Sequence, residues 1–83
     1  MMKLYVANIN FAATEVDIEE LFSKYGEVFS VKLLYDKIGR SRGFGFVEVR
    51  DEDAKTMINQ LHGHSYMNRD MVVAVGKSRV KDD

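Results

Sequence analysis

The stretch SRGFGFVEVR, Ser41 to Arg50, alternates two glycines with two phenylalanines and carries arginines at positions 42 and 50. Planar rings set among fixed cations suit one kind of chemistry, the noncovalent capture of flat, unsaturated groups linked by negative charge. Unpaired nucleobases joined by phosphates are such a ligand, because rings stack on the bases and cations meet the backbone. The glycines raise the opposite question. Inside a strand each costs roughly 0.5–1 kcal/mol relative to alanine, out of a total stability of about 5–15 kcal/mol for a small domain. Something in the fold must offset them.

Strand residues alternate sides, so parity sorts the segment into two surfaces. Gly43, Gly45, Val47 and Val49 share one side; Arg42, Phe44, Phe46, Glu48 and Arg50 share the other, which the charges mark as solvated. Burying the phenylalanines would bury both arginines and Glu48 with them, which a register set by one apolar face does not allow. The glycines are then expected under a helix layer, where a missing side chain lets a helix approach the sheet closely. A first strand, Lys3–Ala7, sorts the same way: Leu4 and Val6 point inward, Lys3, Tyr5 and Ala7 outward. In Val28–Tyr35, Val31 and Leu33 oppose Ser30, Lys32 and Leu34. In Met71–Val75, Met71, Val73 and Val75 oppose Val72 and Ala74. Tyr5, Phe44 and Phe46 thus stand in water beside Lys3, Lys32 and Arg42.

Two amphipathic helices separate these strands. Thr14 with Asp17 three residues on is a capping-box signal, followed by Ile18, Leu21, Phe22 and Tyr25 on one helical stripe, with Gly26 as the expected C-cap. Asp51 is the expected N-cap of a second helix, whose stripe is Ala54, Met57, Ile58 and Leu61 and whose end is marked by Gly63. Gly39 is the expected turn residue of the loop DKIGRS, and Tyr66–Met67 an additional short strand. The order is βαββαβ, an α+β, ferredoxin-like sandwich: a four-stranded antiparallel sheet with both helices on one face.

Composition narrows the function classes. The 83 residues allow one domain, expected over 1–77, with KSRVKDD reading as a flexible end and 78–83 as its tail. Cysteine is absent, which removes disulfides, thiolate nucleophiles and Cys-based zinc sites. A cytoplasmic, monomeric protein with no membrane segment and no signal peptide is expected. The net charge is −1, but it is unevenly spread. Segments 15–25 and 51–62 hold seven acids against two bases, and the remainder holds ten bases against six acids. The positive balance falls on the strands, the loop containing Lys37 and Arg40, and the tail containing Lys77, Arg79 and Lys81, so Arg40, Lys77 and Arg79 are candidate auxiliary contacts. A dinucleotide-binding GxGxxG starting at Gly43 would need glycine where Glu48 stands. His62 and His64 lack further metal ligands nearby, and no nucleophile–base pair is evident. No catalytic residue, metal site or cofactor is expected.

At these residues the sequence resembles the RNA recognition motif family. RGFGFVEV (Arg42–Val49) matches the family's octapeptide at seven of eight positions, departing at Val49, which parity places in the core. LYVANI (Leu4–Ile9) is similar to the family's hexapeptide. The resemblance covers nearly the whole chain and is closest in architecture to small single-domain bacterial members. It implies that Tyr5 and Phe46 stack on bases, that Phe44 packs between sugars, that Arg42 faces phosphate and that Asn8 ends the first strand structurally. Gly76, where the family commonly has alanine, implies a looser path for the tail. The implied function is binding of a few nucleotides of single-stranded RNA in post-transcriptional regulation. Single-stranded DNA is the alternative ligand. A protein–protein interaction module is the alternative role, although such members often lose the three aromatics present here.

Overall fold

The computed structural model of the chain describes residues 1–76. Its elements are β1 (Met2–Ala7), α1 (Glu15–Ser23), β2 (Val28–Tyr35), β3 (Ser41–Val49), α2 (Asp51–Leu61), β4 (Ser65–Tyr66), β5 (Arg69–Asp70) and β6 (Val72–Val75). Strands β2, β3, β1 and β6 form one sheet in that order, every neighbouring pair antiparallel. Helix α1 lies across β2, and α2 across β6 and β1. One core results: Leu4 and Val6 of β1, Leu33 of β2, Val47 and Val49 of β3 and Val73 of β6 meet Ile18 and Phe22 of α1 and Met57 and Leu61 of α2. The βαββαβ frame holds, with a two-stranded hairpin of β4 and β5 inserted before β6.

Helix α1 starts as the sequence indicates. Asp17 N–H donates to Thr14 Oγ1 at 3.1 Å, and Thr14 N–H donates to Asp17 Oδ2 at 3.0 Å. Its end differs from expectation. The C-cap is Lys24 in right-handed helical conformation, and Gly26 is absent from the positive-φ glycines. Gly26 supplies room instead, since a Cβ there would overlap the Asp53 side chain. The start of α2 also differs from expectation. Arg50, not Asp51, is the N-cap of α2, and no side chain caps the helix. Asp53 reaches back to receive Glu27 N–H at 2.9 Å and Arg50 Nε at 2.9 Å, which ties the start of α2 to the entry of β2. Gly63 takes φ +80 just beyond α2, as a left-handed stop should.

The glycines of β3 lie on the helix side as parity requires, but helix approach is not what they permit. A Cβ on Gly45 would collide with the carbonyl oxygen of Lys32, and would sit 2.8 Å from Leu33 Cα, both on β2. Gly45 pairs with Leu33 just before β2 shifts register, so the missing side chain lets an irregular edge strand close against the sheet centre. Gly43 takes φ +79 and bears against Phe11. The shift between Val28 and Ser30 similarly bulges β2 at Phe29, allowing both Val28 and Val31 to pack on the core.

Two smaller differences concern the last third of the chain. Met67 is a turn residue, not part of the short strand. With φ 51 at Met67 and φ 69 at Asn68, the β4–β5 connection has both central residues left-handed, the type I′ geometry of tight hairpins. Val75 points toward the helix side but is 51% exposed, because it lines, with Met2 of β1 and Ala54 and Ile58 of α2, an open recess rather than a sealed contact. Gly76 N–H donates to Lys3 O at 2.8 Å and continues the pairing with β1; the path of the tail after it lies outside the described residues.

Candidate nucleic-acid interface

Antiparallel pairing of β1 and β3 sets Tyr5 directly opposite Phe46. Their ring centroids are 5.8 Å apart and tilted by 56°. Phe44, two residues back on β3, lies 6.3 Å from Tyr5 at 48°. The rings are half-buried, supported by one another and absent from the core cluster. They occupy the sheet face that carries no helix. Both separations fall in the range favoured by interacting aromatic rings, so the platform is partly organised before any ligand arrives.

Cations bracket the rings. Lys3 Nζ lies 5.3 Å from the Phe46 centroid, and Arg42 Cζ 5.3 Å from that of Phe44. Lys32 stands beside Phe46 on β2. Lys3, Ser30, Lys32, Phe46 and Glu48 line a recess of about 140 Å³. Glu48 receives the Ser30 hydroxyl at 2.6 Å, which leaves a carboxylate oriented among lysines as an acceptor for amino groups on a ligand's edge.

The expected site residues therefore divide three ways. Tyr5, Phe44, Phe46, Lys3, Lys32 and Arg42 form one continuous surface. Arg40 stands off it, at the end of the loop joining β2 to β3. That loop is shaped by Asp36, whose Oδ1 accepts the N–H groups of Ile38 and Arg40 at 3.0 Å each and whose Oδ2 accepts Arg40 Nε at 3.2 Å. These bonds, that from the Arg40 backbone foremost, hold the Asp36 carboxyl below its ordinary value. Lys77 and Arg79 lie outside the described residues.

Two residues beside the platform escape sequence reasoning. Phe11, in the loop after β1, is 63% exposed, and Arg69 of β5 lies 5.7 Å from its ring centroid. Neither follows a strand or helix period. The nearest signal is the run NINF itself. Its asparagines fasten this loop to the hairpin. Asn8, left-handed at φ 57, donates from Nδ2 to Asp70 O at 2.8 Å and accepts Arg69 Nη2 at 2.8 Å. Asn10 Nδ2 donates to Met67 O at 2.9 Å.

The back of the sheet has the opposite character. The acids of α1 and α2 face away from the platform, and some have structural tasks: Glu15 Oε2 accepts Leu33 N–H from β2 at 2.9 Å.

Comparison with known proteins identifies chains of similar sequence and fold. The family described as RNA recognition motif matches residues 4–72. A relative named RNA-binding protein RbpD, from Nostoc sp. strain PCC 7120, is 43% identical over 84 residues, covering 98% of this chain and 88% of its own. Among solved structures, the crystal structure of RNA binding protein PG1 superposes with a TM-score of 0.90 at 36% identity, covering 98% of this chain and all of that one. The structure titled Rna15 RRM with bound RNA (GU) has a TM-score of 0.82 at 30% identity, covering 94% of this chain and 86% of that chain.

Proposed function

The chain belongs to the RNA recognition motif family, and from that premise we propose that it binds a few unpaired nucleotides of RNA on the open face of its sheet. The observation that carries this reading is the contiguity of Tyr5, Phe44 and Phe46 on the helix-free side, with Lys3 and Arg42 each 5.3 Å from a ring centroid. Bases stack on Tyr5 and Phe46, Phe44 packs against sugars, and Lys3, Lys32 and Arg42 meet phosphates. Arg40, Lys77 and Arg79 are auxiliary contacts. The role is one of binding rather than catalysis, by a monomer acting in the cytoplasm in post-transcriptional regulation.

Magnitudes set the scale. Stacking contributes ~1–3 kcal/mol per base, so two stacks supply about 2–6 kcal/mol. A micromolar complex requires about 8 kcal/mol. Phosphate contacts and base-edge hydrogen bonds, including those Glu48 can accept, make up the difference. The expected affinity for short single strands is about micromolar and falls steeply with salt.

Titration with short randomised RNA, followed by the same titration with Tyr5→Ala and Phe46→Ala, tests the reading. Each substitution should weaken binding by ~1–3 kcal/mol with the fold intact, and unchanged affinity in both would remove the sheet as the site. Arg42→Ala should lower the slope of log K against log salt by about one, with little change in sequence preference. A DNA pool of the same lengths serves as the comparison ligand, since stacking accepts both and only the 2′-hydroxyl distinguishes them.

A further inference from the structure

Beyond the end of the platform, the loop after β1 and the loop joining β2 to β3 flank an open cleft of about 390 Å³ lined by Phe11, Asp36, Arg40, Ser41 and Arg42. Such a volume lies within the range of about 300–1,000 Å³ typical of small-ligand sites and admits a single nucleotide. Its aromatic wall is positioned rather than loose. Phe11 rests against Gly43, where a Cβ would come within 2.9 Å of its Cε1. Arg69 approaches the ring to 5.7 Å without lining the cleft, and is itself held by Asn8 at 2.8 Å. The ring is therefore supported from outside the cleft while 63% of the residue remains exposed.

The opposite wall is equally fixed. Asp36 organises its loop and engages Arg40 through Nε, so the one carboxylate of the lining is paired with Arg40 and the lining keeps one net positive charge, with Arg42 beside the paired Arg40. Arg42 also lies over Phe44, 5.3 Å from its centroid, so the cleft and the platform share a residue. A strand leaving Phe44 past Arg42 enters the cleft without crossing a carboxylate that lacks a partner.

We propose that this cleft is a further nucleotide subsite, in which an unpaired base of the same strand stacks on Phe11 while Arg42 and Arg40 receive the phosphate that links it to the platform. The subsite rests on the platform reading, and makes the footprint one nucleotide longer than the three rings alone provide.

The test is a comparison of lengths. Randomised RNA pools of three and six nucleotides are titrated against the wild-type chain, Phe11→Ala and Phe11→Leu, with Phe46→Ala as the platform control. Leucine keeps apolar packing on Gly43 but offers no stacking face, and comparing variants at one length cancels the electrostatic gain from added phosphates. A stack worth ~1–3 kcal/mol corresponds to about 5- to 150-fold. The expected result is that both Phe11 variants lose such a factor on six nucleotides and bind three as the wild type does. In NMR spectra, the Phe11 ring and the amides of residues 36–40 should shift with the longer pool and stay still with the shorter. Wild-type affinity of Phe11→Leu and Phe11→Ala at both lengths overturns the subsite, as does an equal loss at both lengths. Failure of the platform reading looks different: Phe46→Ala would then bind both pools as the wild type does.

Discussion

Neighbouring residues of β3 end in opposite environments. Val47 and Val49 are sealed beneath the helices at 0% exposure, while Phe44 and Phe46, one step away, lie half-buried on the side with no helix. A period of two means that one strand encodes two surfaces at once, and here the two surfaces differ in composition as well as in burial. The covered side holds the fold together through a contiguous apolar core. The open side spends three aromatic side chains and several cations on a surface that the core does not use. The difference teaches that a sealed face and an open face are written on the same nine residues of β3 and are separable by parity.

The strongest way to break the comparison is a large-to-small change on the covered side. Leu4, at 0% exposure, should cost about 2–5 kcal/mol when changed to alanine, lowering the melting temperature by roughly 10–30 °C. RNA affinity measured where the variant is still folded should not change; a parallel loss would show that the faces are not independent. The reciprocal change is Phe46→Ala, with its ~1–3 kcal/mol loss of RNA affinity. Its urea midpoint should move less than that of Leu4→Ala, which side-by-side denaturation will decide. Thr14→Ala removes the cap of α1, far from the platform. It should lower stability by about 1 kcal/mol and leave the RNA titration curve superimposable on the wild type.

The smallest effect is one of pH. Arg50 hydrogen-bonds the Asp53 carboxylate and, with the Glu27 N–H, holds its pKa below the ordinary value. A carboxyl depressed in the folded state stabilises the fold above its unfolded pKa of about 3.9, and that contribution disappears as pH falls through the lower folded value. Asp53→Asn should therefore be less stable than the wild type at pH 7, with the gap narrowing below about pH 4. Denaturation at several pH values checks this, and a gap independent of pH would contradict it.

What was legible in the sequence follows the same division. Features carried by a local period were readable: the two faces of β3, the stripe Ile18–Leu21–Phe22, and the reciprocal Thr14–Asp17 cap. Features that depend on a distant segment were not. The reason for Gly45 lies in the backbone of β2, and the reason for Gly26 is the carboxylate of Asp53, 27 residues further on. Asp51 looked like an N-cap by residue type, but Arg50 already takes the extended conformation that starts the helix. The hairpin was legible only as one short strand because Met67 and Asn68 adopt left-handed conformations without the glycine that usually announces them. Phe11 sits in a loop, where no alternation tells which way a side chain faces.

The asparagine contacts between the loop after β1 and the hairpin carry a kinetic consequence. They join residues 57 to 62 positions apart, nearly the full span of the described chain, whereas the Thr14–Asp17 bonds close over three. Contacts of such long reach bear the entropy of closing almost the entire polypeptide before they return anything. Asn8, Asn10 and Arg69 thus act as a latch that engages only once residues 8–10 and 67–70 have met.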